Sequence, residues 1–228
     1  DDIRYLLAGG AKLVTLNGAY NWAVEKGLQV GAQVMVDARE FNKRFVLPIQ
    51  DKCKYLLASQ VHPAVYDALE SVKDRVFQWH TSAAFITDAL KSQFDVSWRI
   101  TGGTTVLLRA LPLMRTLGYK RFHLFGCDSC LNVGTMESPY GIQNDFIGPH
   151  HAYPQPENDG CMVLSTVVGG RVFKCHPWML VQASEFIEFI RVLGDELEIN
   201  VSGDGLLAWI LNHAADMDLE MEQKALAS

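Results

Sequence analysis

The chain has 228 residues, 49% apolar and 20% charged, with a net charge of −6. That is enough apolar sequence for one sizeable core, and it excludes an intrinsically disordered chain. The acidic balance and the lack of a long basic run argue against nucleic-acid or anionic-membrane binding, and no stretch of about 18 apolar residues is there to span a membrane.

In chain order, a helix is expected over Asp2–Leu7, a strand over Lys12–Leu16, and a helix over Tyr20–Lys26 that Gly27 stops. A strand Gln33–Val36 ends at Asp37, and Lys54–Ala58 is a further short apolar run. His62-Pro63 opens a helix through Glu70, because proline suits a first helical position. Arg75–Trp79 reads as strand and Ser82–Lys91 as helix. Ile100–Ser129 then runs from a Gly-Gly-Thr-Thr turn into an apolar helix that Gly118 ends, a strand Arg121–Phe125, and Gly126 with Asp128. Strands alternating with helices of about ten residues predict βαβ units and a parallel sheet, in which Lys12–Leu16, Gln33–Val36 and Arg121–Phe125 are expected to be parallel neighbours.

The alternation breaks at Leu131–Asp159, which is rich in Gly, Pro, Asn and His. A loop this long in a compact domain is functional or disordered. Met162–Val168, Gly169-Gly170 and Arg171–Cys175 predict a hairpin. Pro177 starts a helix to Leu193, with Met179, Ala183, Phe186, Ile190 and Leu193 on one face. A strand Glu198–Val201, a Ser202-Gly203-Asp204-Gly205 turn and a helix Leu206–Ala214 complete the pattern. The expected architecture is one α/β, Rossmann-like domain over residues 1–228. Its sheet is mostly parallel with helices on both faces, it carries a β-hairpin excursion, and residues 131–160 form a long active-site loop.

In a parallel sheet the strand ends gather at one edge, where such folds bind ligands. Four turns fall there: Asn17-Gly18, Asp37-Ala38-Arg39, Gly126-Cys127-Asp128-Ser129 and Ser202-Gly203-Asp204-Gly205. The Gly102-Gly103-Thr104 turn before a helix leaves backbone N–H groups to face a phosphate. Asn17, Gly18, Arg39, Gly102, Gly103, Thr104, Gly126, Asp128, Ser129, Gly203 and Asp204 are therefore nucleotide-binding candidates, against the alternative that Asp and Gly simply form turns. Asp37 is a candidate catalytic, Mg²⁺-binding or ribose-binding carboxylate, or else a cap on the next turn. Asp128 is a second candidate Mg²⁺ ligand. Arg39 can pair with Asp37 or meet a phosphate. His150 and His151, in the long loop, are candidate general bases, with a surface position the alternative.

Cys127-Asp-Ser-Cys130 has metal-site spacing, but no second pair supplies the four ligands of structural zinc. The cysteines (Cys53, Cys127, Cys130, Cys161, Cys175) are odd in number, so reduced thiols in a cytoplasmic protein without a signal peptide are expected. His176 reads as structural, and Trp178, Trp209, Phe186 and Phe189 as core aromatics.

These landmarks together resemble the Rossmann-like family named for archaeal 6-hydroxymethylpterin diphosphokinase. They are Asn17-Gly18-Ala19, Val36-Asp37, Gly102-Gly103-Thr104 with Arg109-Ala110, and Leu117-Gly118-Tyr119. Leu124-Phe125-Gly126-Cys127-Asp128, Trp178-Met179 with Gln182-Ala183, and Gly203-Asp204-Gly205-Leu206 continue the series over about Lys12–Leu207. The resemblance implies a nucleotide-dependent transferase, with pyrophosphoryl transfer from ATP and Mg²⁺ on Asp37 and Asp128; neither zinc nor flavin is expected. Two features depart from the pterin kinases. Asn17 stands where they carry Asp, and Asp37-Ala38-Arg39 replaces an Asp-Leu-Asp pattern. The family also begins with a strand and a Gly-x-Gly-Pro-Ser turn that would end near Asp1, so an N-terminal segment is expected to be missing here. The family is similar in turn to flagellin glycosyltransferases and bacterial sialyltransferases, which implies a nucleotide-sugar, CMP-linked donor as the alternative. A noncatalytic nucleotide-binding module is the third reading, and an oligomer is left open.

Overall fold

The computed structural model describes residues 2–82, 99–131 and 164–213. The expected helix beyond Ser82, the long loop with His150 and His151, Cys161 and the C-terminal tail lie outside the described residues. The chain divides into two compact units, Asp1–Met114 and Arg115–Ser228. It is α/β, as the alternation predicts.

The first unit is built on a four-stranded parallel sheet in the order β1-β2-β3-β4. Its strands are β1 (Val14–Leu16), β2 (Ala32–Met35), β3 (Lys54–Ala58) and β4 (Val76–Trp79). Every residue of β2 is buried, as is all of β3 after Lys54. Because successive side chains point to opposite faces, these central strands are covered on both. Val34, Met35, Leu57 and Ala58 are almost wholly removed from solvent, and each large apolar side chain so buried contributes roughly 1.5–3 kcal/mol. Helix α1 (Asp2–Ala8) precedes the sheet. Helix α2 (Ala19–Glu25) links β1 to β2 and packs on β1. A 3₁₀ helix, Glu40–Val46, follows β2 in a stretch where neither periodicity was visible. Helix α3 (Pro63–Ala68) starts where His62-Pro63 places it, with His62 Nδ1 accepting from the Ala64 N–H at 3.2 Å. It is shorter than expected, because a 3₁₀ turn, Glu70–Arg75, takes over before β4. A parallel bridge between Thr81 and Ile100 extends the pairing past β4. Helix α4 (Val106–Thr116) then follows the Gly-Gly-Thr-Thr turn.

In the second unit, β5 (Arg121–Leu124) pairs in parallel with β8 (Glu198–Val201), from Arg121 opposite Glu198 to Leu124 opposite Val201. The expectation that β5 would neighbour β1 and β2 is corrected here: its hydrogen-bonded partner is β8, in a separate two-stranded sheet. β6 (Leu164–Val168) and β7 (Arg171–Cys175) form the antiparallel hairpin. Val168 pairs with Arg171, which leaves Gly169 and Gly170 as a two-residue turn with φ of 52° and 77°. Positive φ at both positions is what a type I′ turn requires, and glycine supplies it without strain. Helix α5 (Pro177–Leu193) has the bounds the periodicity predicts, with Met179, Ala183 and Phe186 buried. Trp178 corrects the expectation of a core aromatic: it is 55% exposed in the first turn of α5 and stacks on the ring of His176. The last described helix, α6, covers 206–213.

Among the described residues, no helix is long and apolar enough to cross a membrane.

Candidate functional site

The parallel order of the first sheet gathers the C-terminal ends of β1 to β4 at one edge. Asn17 leaves β1 there in the left-handed conformation, with φ of 46°, which asparagine tolerates better than most residues. Its N–H donates to Val34 O at 3.4 Å, and its carbonyl accepts from Gln33 Nε2 at 2.9 Å. Gln33 is fully buried in β2 and also donates to Phe45 O at 2.9 Å while accepting from Thr15 Oγ1 at 2.6 Å. One side chain thus ties the Asn17-Gly18 turn to the 3₁₀ helix. Gly18 lies against the Phe45 ring, which a Cβ there would meet at 3.3 Å. Asn17 Oδ1 is buried without a hydrogen-bond partner among the described residues.

Asp37 and Arg39 follow β2 at the same edge. Arg39 Nε donates to Asp37 Oδ1 at 2.8 Å and to Oδ2 at 2.7 Å, its Nη2 also binds Oδ2, and the Arg39 N–H donates to Oδ1 at 3.1 Å. The pairing expected of Arg39 and the turn cap that was the alternative for Asp37 are therefore seen together. Burial alone would raise its carboxyl, but the Arg39 hydrogen bonds and charge outweigh that and hold it below the ordinary carboxylate value.

Gly102, Gly103 and Thr104 leave Ile100 beyond the β4 side of the sheet, so β3 and β4 separate them from Asn17 and Asp37. Gly102 is explained by its own helix. A Cβ there would stand 2.5 Å from Leu108 O and 3.0 Å from Arg109 Cα. Pro112, inside α4, lacks the N–H that would otherwise bond Leu108 O four residues back. The freed carbonyl faces the glycine, so the absent side chain admits α4 rather than a ligand.

In the second unit, pairing of β5 with β8 brings Gly126, Asp128 and Ser129 together with Gly203 and Asp204. Asp128 is 8% exposed, and its carbonyl accepts from the Leu207 N–H at 3.3 Å, in the first turn of α6. A Cβ on Gly203 would meet Asp128 Oδ1 at 3.0 Å, and one on Gly205 would meet Asp128 Cα at 2.6 Å. The glycines predicted to receive a ligand receive Asp128. Ser129 is buried with φ of 51°. Asp204 is 91% exposed and pairs with Arg171 at 3.2 Å.

Cys53, Cys127, Cys130 and Cys175 are free thiols. Burial, with the Asp128 charge added, pushes the Cys127 thiol up to about 12.

Asp37 is engaged on both oxygens and Asp128 is enclosed by glycines. Among the described residues no group of three or more His, Cys, Asp or Glu is placed to hold a metal. These residues do not assemble the oxygen-rich set that Mg²⁺ takes. The residues that sequence reasoning missed are Gln33, Phe41, Arg44 and Phe45. The available signal was the Phe41/Phe45 spacing beside Arg39 and Arg44, which places rings and guanidiniums on adjacent turns. Comparison with models of known families, with curated proteins and with solved structures found no match in any of the three.

Proposed function

We propose that this chain is a nucleotide-dependent transferase that takes its nucleotide at the C-terminal edge of the β1–β4 sheet, with a nucleotide-sugar donor of the CMP-linked kind. The observation that carries the reading is the convergence of the Asn17-Gly18 turn and the Asp37–Arg39 pair on that edge, where parallel α/β sheets bind ligands. Among the described residues Asn17 Oδ1 is an unmet acceptor there, suited to an N–H or hydroxyl of a base or ribose. In the transfer, an acceptor hydroxyl attacks the sugar carbon, the bond to the phosphate oxygen breaks, and the nucleotide leaves with that electron pair. His150 or His151, outside the described residues, would take the acceptor's proton. Pyrophosphoryl transfer from Mg²⁺-ATP is the second member of the class. The engagement of Asp37 by Arg39 and the enclosure of Asp128 favour the sugar donor over it.

A thermal-shift series with CMP, CTP and ATP, each with and without Mg²⁺, tests this reading. Near 100 times Kd a ligand stabilises by about 2.7 kcal/mol, a shift of several degrees. CMP is expected to stabilise the protein equally with and without Mg²⁺. Stabilisation by ATP alone, and only with Mg²⁺, would favour pyrophosphoryl transfer. No shift with any nucleotide would remove the transferase reading.

A further inference from the structure

Among the described residues, Arg44 is a cation without a counter-ion. The segment from Asp37 to Val46 holds three cations, Arg39, Lys43 and Arg44, and two acids, Asp37 and Glu40. Asp37 pairs with Arg39, and Glu40 with Lys43 at 3.5 Å. Nothing among the described residues pairs with Arg44. Its guanidinium carbon lies 4.7 Å from the Phe41 ring centroid and 5.0 Å from that of Phe45. Its Nε and Nη2 are buried with no hydrogen-bond acceptor. Two ring faces offset part of the cost of drying a charge, on the order of 0.5–2 kcal/mol each, but they accept none of its N–H groups. The backbone beneath is fixed: Asn21 Nδ2 donates to Arg44 O at 3.0 Å and to Leu47 O at 2.9 Å. Phe45, against which the guanidinium rests, is itself against Gly18, so one ring separates Arg44 from the Asn17-Gly18 turn.

We infer that Arg44 is an oxyanion-binding residue whose ligand is a phosphate group, and, resting on the function proposed above, the phosphate of the bound nucleotide. A planar guanidinium ordered in advance presents a fork that matches two phosphate oxygens, and its ordering is already met by the fold. The aromatic walls lower the local polarity and strengthen the contact.

Isothermal titration of pyrophosphate, CMP and cytidine into the wild type, Arg44→Met and Arg44→Lys separates the parts of this inference, with circular dichroism as the folding control. The wild type is expected to bind pyrophosphate and CMP. Arg44→Met should weaken both by about 10-fold or more, the size of one charge-assisted contact, and leave cytidine unchanged. Arg44→Lys should fall between, since it keeps the charge and loses the fork. Wild-type-like pyrophosphate binding by Arg44→Met, or none by the wild type, overturns the site. Pyrophosphate binding without binding of any nucleotide keeps the anion site and sinks the transferase reading. Should Arg44→Met not fold, the Arg44 Nε–H resonance of the wild type, assigned through Arg44→Lys, decides: it must shift on adding pyrophosphate, and an unmoved signal at saturation rejects the contact.

Discussion

At Gly205 a side chain would collide with both Cα and Cβ of Asp128, and at Gly102 with the carbonyl of Leu108. In each case the obstacle includes backbone, which cannot swing aside. Gly205→Ala and Gly102→Ala are therefore expected to destabilise by about 1–3 kcal/mol or more, read as a lower urea midpoint. Trimming Asp128 to Ala should not rescue Gly205→Ala, because the Asp128 Cα stays in the way. Gly194→Ala is the matched control. Its φ of −58° and ψ of −36° are helical, and its nearest neighbour, Ile190 Cγ2, stands at an ordinary 3.4 Å. It should be neutral or slightly stabilising. Asp37 makes a separate prediction through pH. Its native carboxyl is lowered, so its contribution is full above the ordinary carboxylate value and is lost as pH falls below that through the native one. The pair is partly exposed, so this is about 1 kcal/mol or less. Asp37→Asn keeps the bond to the Arg39 N–H and loses the ion pair. Urea titrations from pH 6 to pH 3 should show a correspondingly shallower loss of stability in the variant; identical slopes would show that the pair contributes nothing.

Contacts between elements account for features that no single residue shows. The β6–β7 hairpin is held to α6 through Trp209, whose Nε1 donates to Val168 O at 2.8 Å. Its ring lies 6.2 Å from that of Phe173 and stacks on His213 at 4.1 Å, with the Arg171 guanidinium 5.2 Å from its centroid. Trp209→Ala should cost about 3–5 kcal/mol and raise amide exchange across Leu164–Cys175. Exchange that rises evenly over the whole second unit would show that the hairpin has no separate dependence on Trp209. The element bounds themselves were readable wherever period and punctuation agreed. Lys54–Ala58, Arg171–Cys175, Pro177–Leu193 and Glu198–Val201 match the structure residue for residue. The 3₁₀ helix Glu40–Val46 was not readable, because a three-residue repeat over so short a run leaves no apolar stripe of either regular period. That gap hid Arg44 and Phe45.

Across the molecule, the thiols report on both units. Cys53 and Cys175 are fully buried, and burial pushes each up to about 11. Near pH 8 neither should react with a thiol reagent until its unit opens, with peptide mapping locating the label; modification of either in the native protein would show an opening that the packing does not predict. Composition and alternation by themselves determined the α/β class, the parallel sense of the strands and the absence of a long apolar span, because these follow from local period and chain-wide balance. Which turn is a site was decided only by tertiary structure. Hydrophobic period places a strand but carries no information on its partner, so β5 against β8 was beyond its reach. A glycine reads the same whether a ligand or its own chain fills the space. For Gly102 the space is filled by the carbonyl that Pro112 leaves free, and for Gly205 by Asp128. Arg44 is decided in part the same way: its two rings are neighbours in sequence, but a charge is defined by what lies within reach of it, and only the folded chain shows that, among the described residues, no carboxylate does.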